Sequence, residues 1–171
     1  MVAGPDPGHA FPAIALCLRF LAAGDTPVLL TGVEWLDTAR TAGLEAVELA
    51  GLDPGEDDDD SDAGAKIHQR AARMAVLNVP VLTDLGCDLV VSDVITACGG
   101  MAAELIGIPW VELSPHPLYL PSKGLPPVGS GLAPGTGVGG RLRDTVMRAF
   151  TARSVREGMR QRSAVRAEIG L

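Results

Sequence analysis

The chain has 171 residues, close to half of them hydrophobic and few of them aromatic, which is the size of one domain able to bury a sizeable core. Its apolar stretches are all interrupted before they could span a bilayer, and its start lacks the basic region and cleavage site of a signal peptide, so a soluble, cytoplasmic protein is expected. A net charge of −7 argues against nucleic acid as a partner, although the segment after Gly139 carries eight arginines against three acidic residues.

Near the start stands Gly4–Leu16 (GPDPGHAFPAIAL), a glycine- and proline-rich turn that hands the chain into a helix. Ile14, Leu18 and Leu21 share one helical face, and Pro12 is expected in the first turn, where its missing N–H is not needed. His9 therefore sits at or just before a helix N-terminus. Free backbone N–H groups there suit an anionic group, and an imidazole in such a turn can act as a general base. The plainer reading is a solvated or capping histidine. The glycine spacing is that of neither a dinucleotide fingerprint nor a phosphate-binding P-loop.

Pro27–Thr31 (PVLLT) follows as a short apolar run of the kind buried in a parallel sheet. A helix is expected over Glu34–Ala42, stopped by Gly43, and a strand over Leu44–Leu49. Glu56–Asp62 (EDDDDSD) reads as a solvated loop, because five consecutive acids lack the ligand spacing of a calcium site. From Ala63 to about Leu85 the pattern is helical, with Ile67, Ala71, Met74 and Leu77 on one side and Pro80 expected to kink or divide it. Asp88–Asp93 (DLVVSD) is the strongest strand signal. A small-residue helix over Thr96–Ile106 and a strand over Trp110–Leu113 come next. Residues 114–140 read as a proline- and glycine-rich loop, and residues 141–171 as a terminal helix whose arginines form a solvated face. Cys17, Cys87 and Cys98 are odd in number, widely spaced and beside apolar runs, so buried free thiols are expected and neither a disulfide nor a zinc site.

Repeated strand–helix units imply an α/β fold: a doubly wound, Rossmann-like parallel sheet with helices on both faces, its ligand site outside the carboxyl ends of the strands. Asp93 closes its strand at that edge, and the GPDPGH loop leaves a first strand at the same edge. The two residues could face each other, the carboxylate fixing the imidazole tautomer; Asp93 reads equally well as a cap for the helix that follows.

GPDPGHAFPAIAL, followed at a distance by DLVVSDVITACGGMAAELIGIPWVELSP, resembles the N-terminal domain of the two-domain GT-B glycosyltransferases, most closely the bacterial natural-product and macrolide enzymes. The loop is also similar to that of the peptidoglycan N-acetylglucosamine transferases, which leaves a peripheral membrane contact open should the acceptor be a lipid. The resemblance covers nearly the whole chain. It implies inverting, metal-independent transfer of a sugar from a nucleotide diphosphate donor to an acceptor hydroxyl, with no resident cofactor. On the same footing His9 would deprotonate the acceptor hydroxyl and Asp93 would orient His9. Gly8, Phe11, Ser114, His116 and Tyr119 would bind the acceptor, although His116 reads more readily as a surface loop residue.

Two departures stand out. Only Met1, Val2 and Ala3 precede Gly4, so the first, central strand reads as clipped, which would expose apolar edges. The second, donor-binding domain of the family has no counterpart in residues 1–171, so the chain reads as a single acceptor-binding domain that needs a donor-binding domain or subunit and is inactive alone. The alternative is a non-catalytic small-molecule-binding or regulatory module of the same fold.

Overall fold

The computed structural model describes residues 1–53, 55, 62–116 and 123–171. They form two compact units: residues 1–115 together with 165–171, and residues 116–164. Among the described residues, no helix is long and apolar enough to cross a membrane.

The first unit is built on parallel strands. β1 (Val28–Thr31) pairs with β2 (Glu45–Glu48), and β3 (Val90–Asp93) with β4 (Trp110–Leu113). Residues 1–3 join the two pairs, because Val2 bridges both Leu30 and Ser92 in parallel. The order across the sheet is therefore β2, β1, residues 1–3, β3, β4. The first strand was expected to read as clipped and to leave apolar edges open in the centre of the sheet, whereas residues 1–3 bond the strands on both sides. Leu30 N–H donates to the Met1 carbonyl and Ala3 N–H to that of Leu30 on one side, while Val2 N–H donates to Val91 and Asp93 N–H to Val2 on the other. Three residues suffice to bond both inner edges, and Val2 and Ala3 are buried.

Alternate residues of each strand face opposite sides, so neighbours feed different cores. Val2, Leu30 and Val90 pack with α3 (Ala63–Leu85) and α4 (Cys98–Ile106), whereas Ala3, Leu29 and Ala46 pack with α1 (Pro7–Ala23) and α2 (Val33–Thr41). Helices thus cover both faces of the sheet. Each fully buried leucine contributes roughly 1.5–3 kcal/mol. Gly99 lets α4 lie on the centre of the sheet, since a Cβ there would stand 2.8 Å from that of Val2. Val165 at the end of α5 (Gly137–Glu168) belongs to the first core, and Ile169 and Leu171 pack against it.

Several elements differ from expectation for local reasons. Asp6 caps α1 and Pro7 opens it, so Pro12 lies inside the helix and not in its first turn. α3 runs unbroken through Pro80. Its buried side carries Ala71, Met74, Ala75, Asn78 and Leu82, while Ile67 and Leu77 are exposed. Asn78 explains part of that: its Oδ1 accepts the Ala50 N–H at 3.2 Å and its Nδ2 donates to the Ala50 carbonyl at 3.0 Å, so a polar residue at a core position secures the end of β2. Cys17, Cys87 and Cys98 are all free thiols, the first and last buried.

The arginines of α5 are not one solvated face. Arg166 ion-pairs with Glu104 of α4, whose Oε1 also accepts the Trp110 indole N–H at 3.0 Å. In the second unit α5 begins at Gly137, four residues before the expected start at 141, because glycines 137, 139 and 140 carry no apolar periodicity to read. Asp144, 1% exposed, accepts the Gly135 N–H at 2.7 Å and the Arg143 Nε–H at 2.8 Å, and Arg143 also donates to the Ala133 carbonyl. Arg148 donates to the Leu125 carbonyl at 3.0 Å. The Gly135 N–H and the Arg143 guanidinium together hold the Asp144 carboxyl below its ordinary range.

Candidate active site

Viewed along the sheet, the chain first works outward from residues 1–3 to β1 and β2, then returns to fill the other side with β3 and β4. The switch lies between residues 1–3 and β3, where the loops leaving two adjacent parallel strands diverge and open a crevice. One of those loops carries Gly4–Asp6 into α1. The other carries Val94–Ala97 into α4.

On the first loop, Asp6 accepts the Gly8 N–H through Oδ1 at 2.8 Å, and its carbonyl accepts the N–H groups of His9 and Ala10. His9 is thereby fixed as the third residue of α1. The Trp35 indole N–H donates to the Pro5 carbonyl at 2.7 Å and holds the loop from the other side. On the second loop, Asp93 ends β3 with no exposed surface. Its Oδ2 lies 2.7 Å from His9 Nδ1. Its Oδ1 accepts from Ile95 N–H at 3.0 Å, Thr96 N–H at 3.3 Å and the Thr96 hydroxyl at 3.5 Å. The two readings of Asp93 are therefore not alternatives: one oxygen secures the turn into α4 and the other meets the imidazole. Gly4 crosses directly over Thr96, where a Cβ would stand 2.8 Å from its hydroxyl, so the crossing needs a glycine.

With Asp93 ionised, Nδ1 donates to it and the lone pair resides on Nε2. His9, 8% exposed, lines a cleft of about 270 Å³. Gly4, Pro5, Asp6 and Thr96 form one side of it, and Leu52 with the α3 residues Lys66, Ile67, Arg70, Ala71 and Met74 form another. Ile95 and Cys98 complete it. Burial pushes the Cys98 thiol up to about 12, so it is a protonated, apolar part of the wall and not a nucleophile. Among the described residues, no three His, Cys, Asp or Glu side chains are grouped to hold a metal ion.

Gly8 and Phe11, also singled out from sequence, lie outside the cleft lining. Gly8 does not line the cleft, and its N–H is engaged by Asp6. Phe11 is 57% exposed and lies edge-on against Trp35, ring centroids 4.8 Å apart, also outside the cleft lining. Ser114 follows β4 at the carboxyl edge. His116 belongs to the second unit, and Tyr119 lies outside the described residues. Sequence reasoning missed Thr96, Lys66 and Arg70. The only signal for the last two is their four-residue spacing, which puts them on one face of α3.

No protein-family profile matches the chain. It is 26% identical over 187 residues to 4'-demethylrebeccamycin synthase of Lentzea aerocolonigenes, an alignment covering 98% of this chain and 44% of that protein. It is 31% identical over 124 residues to L-demethylnoviosyl transferase of Streptomyces niveus, covering 64% of this chain and 32% of that protein. The chain thus spans less than half the length of the curated relatives it matches. Among solved structures it is similar to the Streptomyces sp. SF2575 glycosyltransferase SsfS6, complexed with thymidine diphosphate, with a TM-score of 0.53 and 22% identity over 66% of this chain and 37% of that one. Its homologues are natural-product glycosyltransferases, and its α/β fold is that of the GT-B glycosyltransferases.

Proposed function

We propose that the chain is the N-terminal, acceptor-binding half of an inverting, metal-independent glycosyltransferase, acting together with a donor-binding domain or subunit. The observation that carries this reading is the His9–Asp93 contact of 2.7 Å at the strand-order switch, with the imidazole lining a cleft. His9 Nε2 removes the proton from an acceptor hydroxyl as its oxygen attacks the anomeric carbon. The bond from that carbon to the diphosphate breaks on the opposite side, so the configuration inverts and the diphosphate leaves with the electron pair. Asp93 holds the tautomer that leaves Nε2 basic and balances the imidazolium that forms. Exposed Phe11, Val33 and Ile95 at the carboxyl edge support a second body closing over the cleft and excluding water.

The donor is a nucleotide diphosphate sugar, a reading supported by the thymidine diphosphate complex of SsfS6. Titration of the isolated chain with thymidine and uridine diphosphate sugars should give no heat, and the chain alone should transfer no sugar. Supplied with the donor-binding domain of a relative, it should glycosylate a hydroxylated acceptor with inversion, undiminished by a chelator. His9→Ala should lower that turnover by roughly 10²–10⁴-fold while acceptor binding persists. Micromolar binding of the sugar nucleotide to the isolated chain would refute the division of labour, and undiminished turnover of His9→Ala would remove the histidine from the chemistry.

A further inference from the structure

Two titratable side chains from the start of α1 line the cleft, Asp6 at the N-cap and His9 three residues on. At that spacing on one helix end the two are neighbours in space. His9 meets Asp93 through Nδ1. The Asp6 carboxylate is engaged through Oδ1, which accepts the Gly8 N–H at 2.8 Å and so fixes the side chain. Among the described residues no hydrogen bond or ion pair engages its Oδ2, and no other carboxylate belongs to the cleft lining. An ionised carboxylate accepts hydrogen bonds and donates none. Its second oxygen therefore suits an O–H and repels an ether or carbonyl oxygen. Ile67 and Ile95 of the same lining are 55% and 50% exposed, so an apolar scaffold resting on them displaces water from the cleft and strengthens a polar contact made there.

We propose that Asp6 is a specificity-determining residue that selects acceptors carrying a second free hydroxyl beside the one presented to His9. This rests on the acceptor-site reading above. The second O–H donates to Asp6 Oδ2, the first lies at His9 Nε2, and the scaffold between them rests on Ile67, Met74 and Ile95. An acceptor whose second hydroxyl is capped as a methyl ether brings lone pairs against the carboxylate and leaves that oxygen unpaired, so the site rejects it by more than the loss of one contact.

The test is calorimetric titration of the full chain with a naphthalenediol of adjacent hydroxyls and with its monomethyl ether. The diol should bind roughly tenfold more tightly than the ether. Asp6→Asn keeps an oxygen for the Gly8 N–H, and so keeps the cap, but replaces the second oxygen by an amide donor. Asp6→Ser has a single oxygen, which the cap uses. Both should remove most of the preference with the circular dichroism spectrum unchanged. Equal affinity for diol and ether, binding of neither, or a preference that survives both substitutions overturns the proposal. Sugar transfer with a donor-binding domain supplied reads the acceptor site separately. Equally efficient transfer to diol and ether keeps the acceptor-site reading and defeats selection by Asp6. The binding preference without transfer to either defeats the acceptor-site reading and leaves the selection standing.

Discussion

Asp93 and Asp144 are the same residue at nearly the same burial, 0% and 1% exposed, yet their surroundings assign them different work. Asp144 is held by a backbone N–H and by an arginine one residue away, both donors that never give up their proton in the accessible range. It can only fasten the loop to the start of α5. Asp93 divides its oxygens between the turn into α4 and an imidazole 84 residues away in sequence. Its partner is an imidazole that borders a cleft, and under the proposed function that is what makes this buried acid part of a reactive pair and not a fastening alone.

The sharpest way to break this comparison is to exchange oxygen for nitrogen at both positions. Asp93→Asn can still accept from Ile95 and Thr96, but its amide donates to Nδ1 and so moves the imidazole proton to Nε2. Turnover, assayed with a donor-binding domain supplied, should fall by roughly 10²–10⁴-fold with the circular dichroism spectrum unchanged. Asp144→Asn should leave that turnover unchanged, and a comparable loss there would mean the two acids are not different in kind.

A smaller effect is expected from Arg143→Ala. It removes the guanidinium bonds to Asp144 and to the Ala133 carbonyl, and amide exchange over residues 133–145 should accelerate while exchange in β3 does not. Acid should do the same by another route. The Asp144 carboxyl is depressed below the ordinary aspartate value of 3.8, so its contribution is fully present above that value and is lost as pH falls through its lower folded value. Exchange at Gly135 should therefore stay slow down to pH 3.8 and rise only in more acidic solution.

The smallest effect concerns Thr31, whose hydroxyl is buried with no hydrogen-bond partner among the described residues. Thr31→Val should be neutral or stabilising by up to about 1 kcal/mol in urea denaturation. A clear loss would show that burial alone, without a partner, can make a polar group useful here.

The contact between His9 and Asp93 was legible in sequence because two local signals coincide with one topological rule. Asp93 ends the most apolar strand signal, His9 follows a proline–glycine turn, and a doubly wound sheet brings both to one edge. Trp110–Leu113 was legible to the residue, being bounded by Gly107 and Pro109 on one side and by a proline-rich segment on the other. The α3 wall was not. Periodicity assigned Ile67 and Leu77 to the buried side, but the groove between helix and sheet accepted Asn78, whose amide has backbone partners that lie far away in sequence. Phe11 was assigned to an acceptor pocket, and the structure gives it to Trp35, a contact across two helices that no spacing rule encodes. Arg166 was hidden for a like reason, since Glu104 is 62 residues distant.

The two anchors around the acidic stretch have a practical consequence for redesign. Asn78 grips Ala50 on one side, and Asp62 caps the start of α3 on the other through the N–H groups of Gly64 and Ala65. Both anchors therefore have to be kept in any redesign of the helix that walls the cleft, because each ties it to backbone groups that, among the described residues, have no second side-chain partner to replace it in Asn78 or Asp62 variants lacking the oxygen.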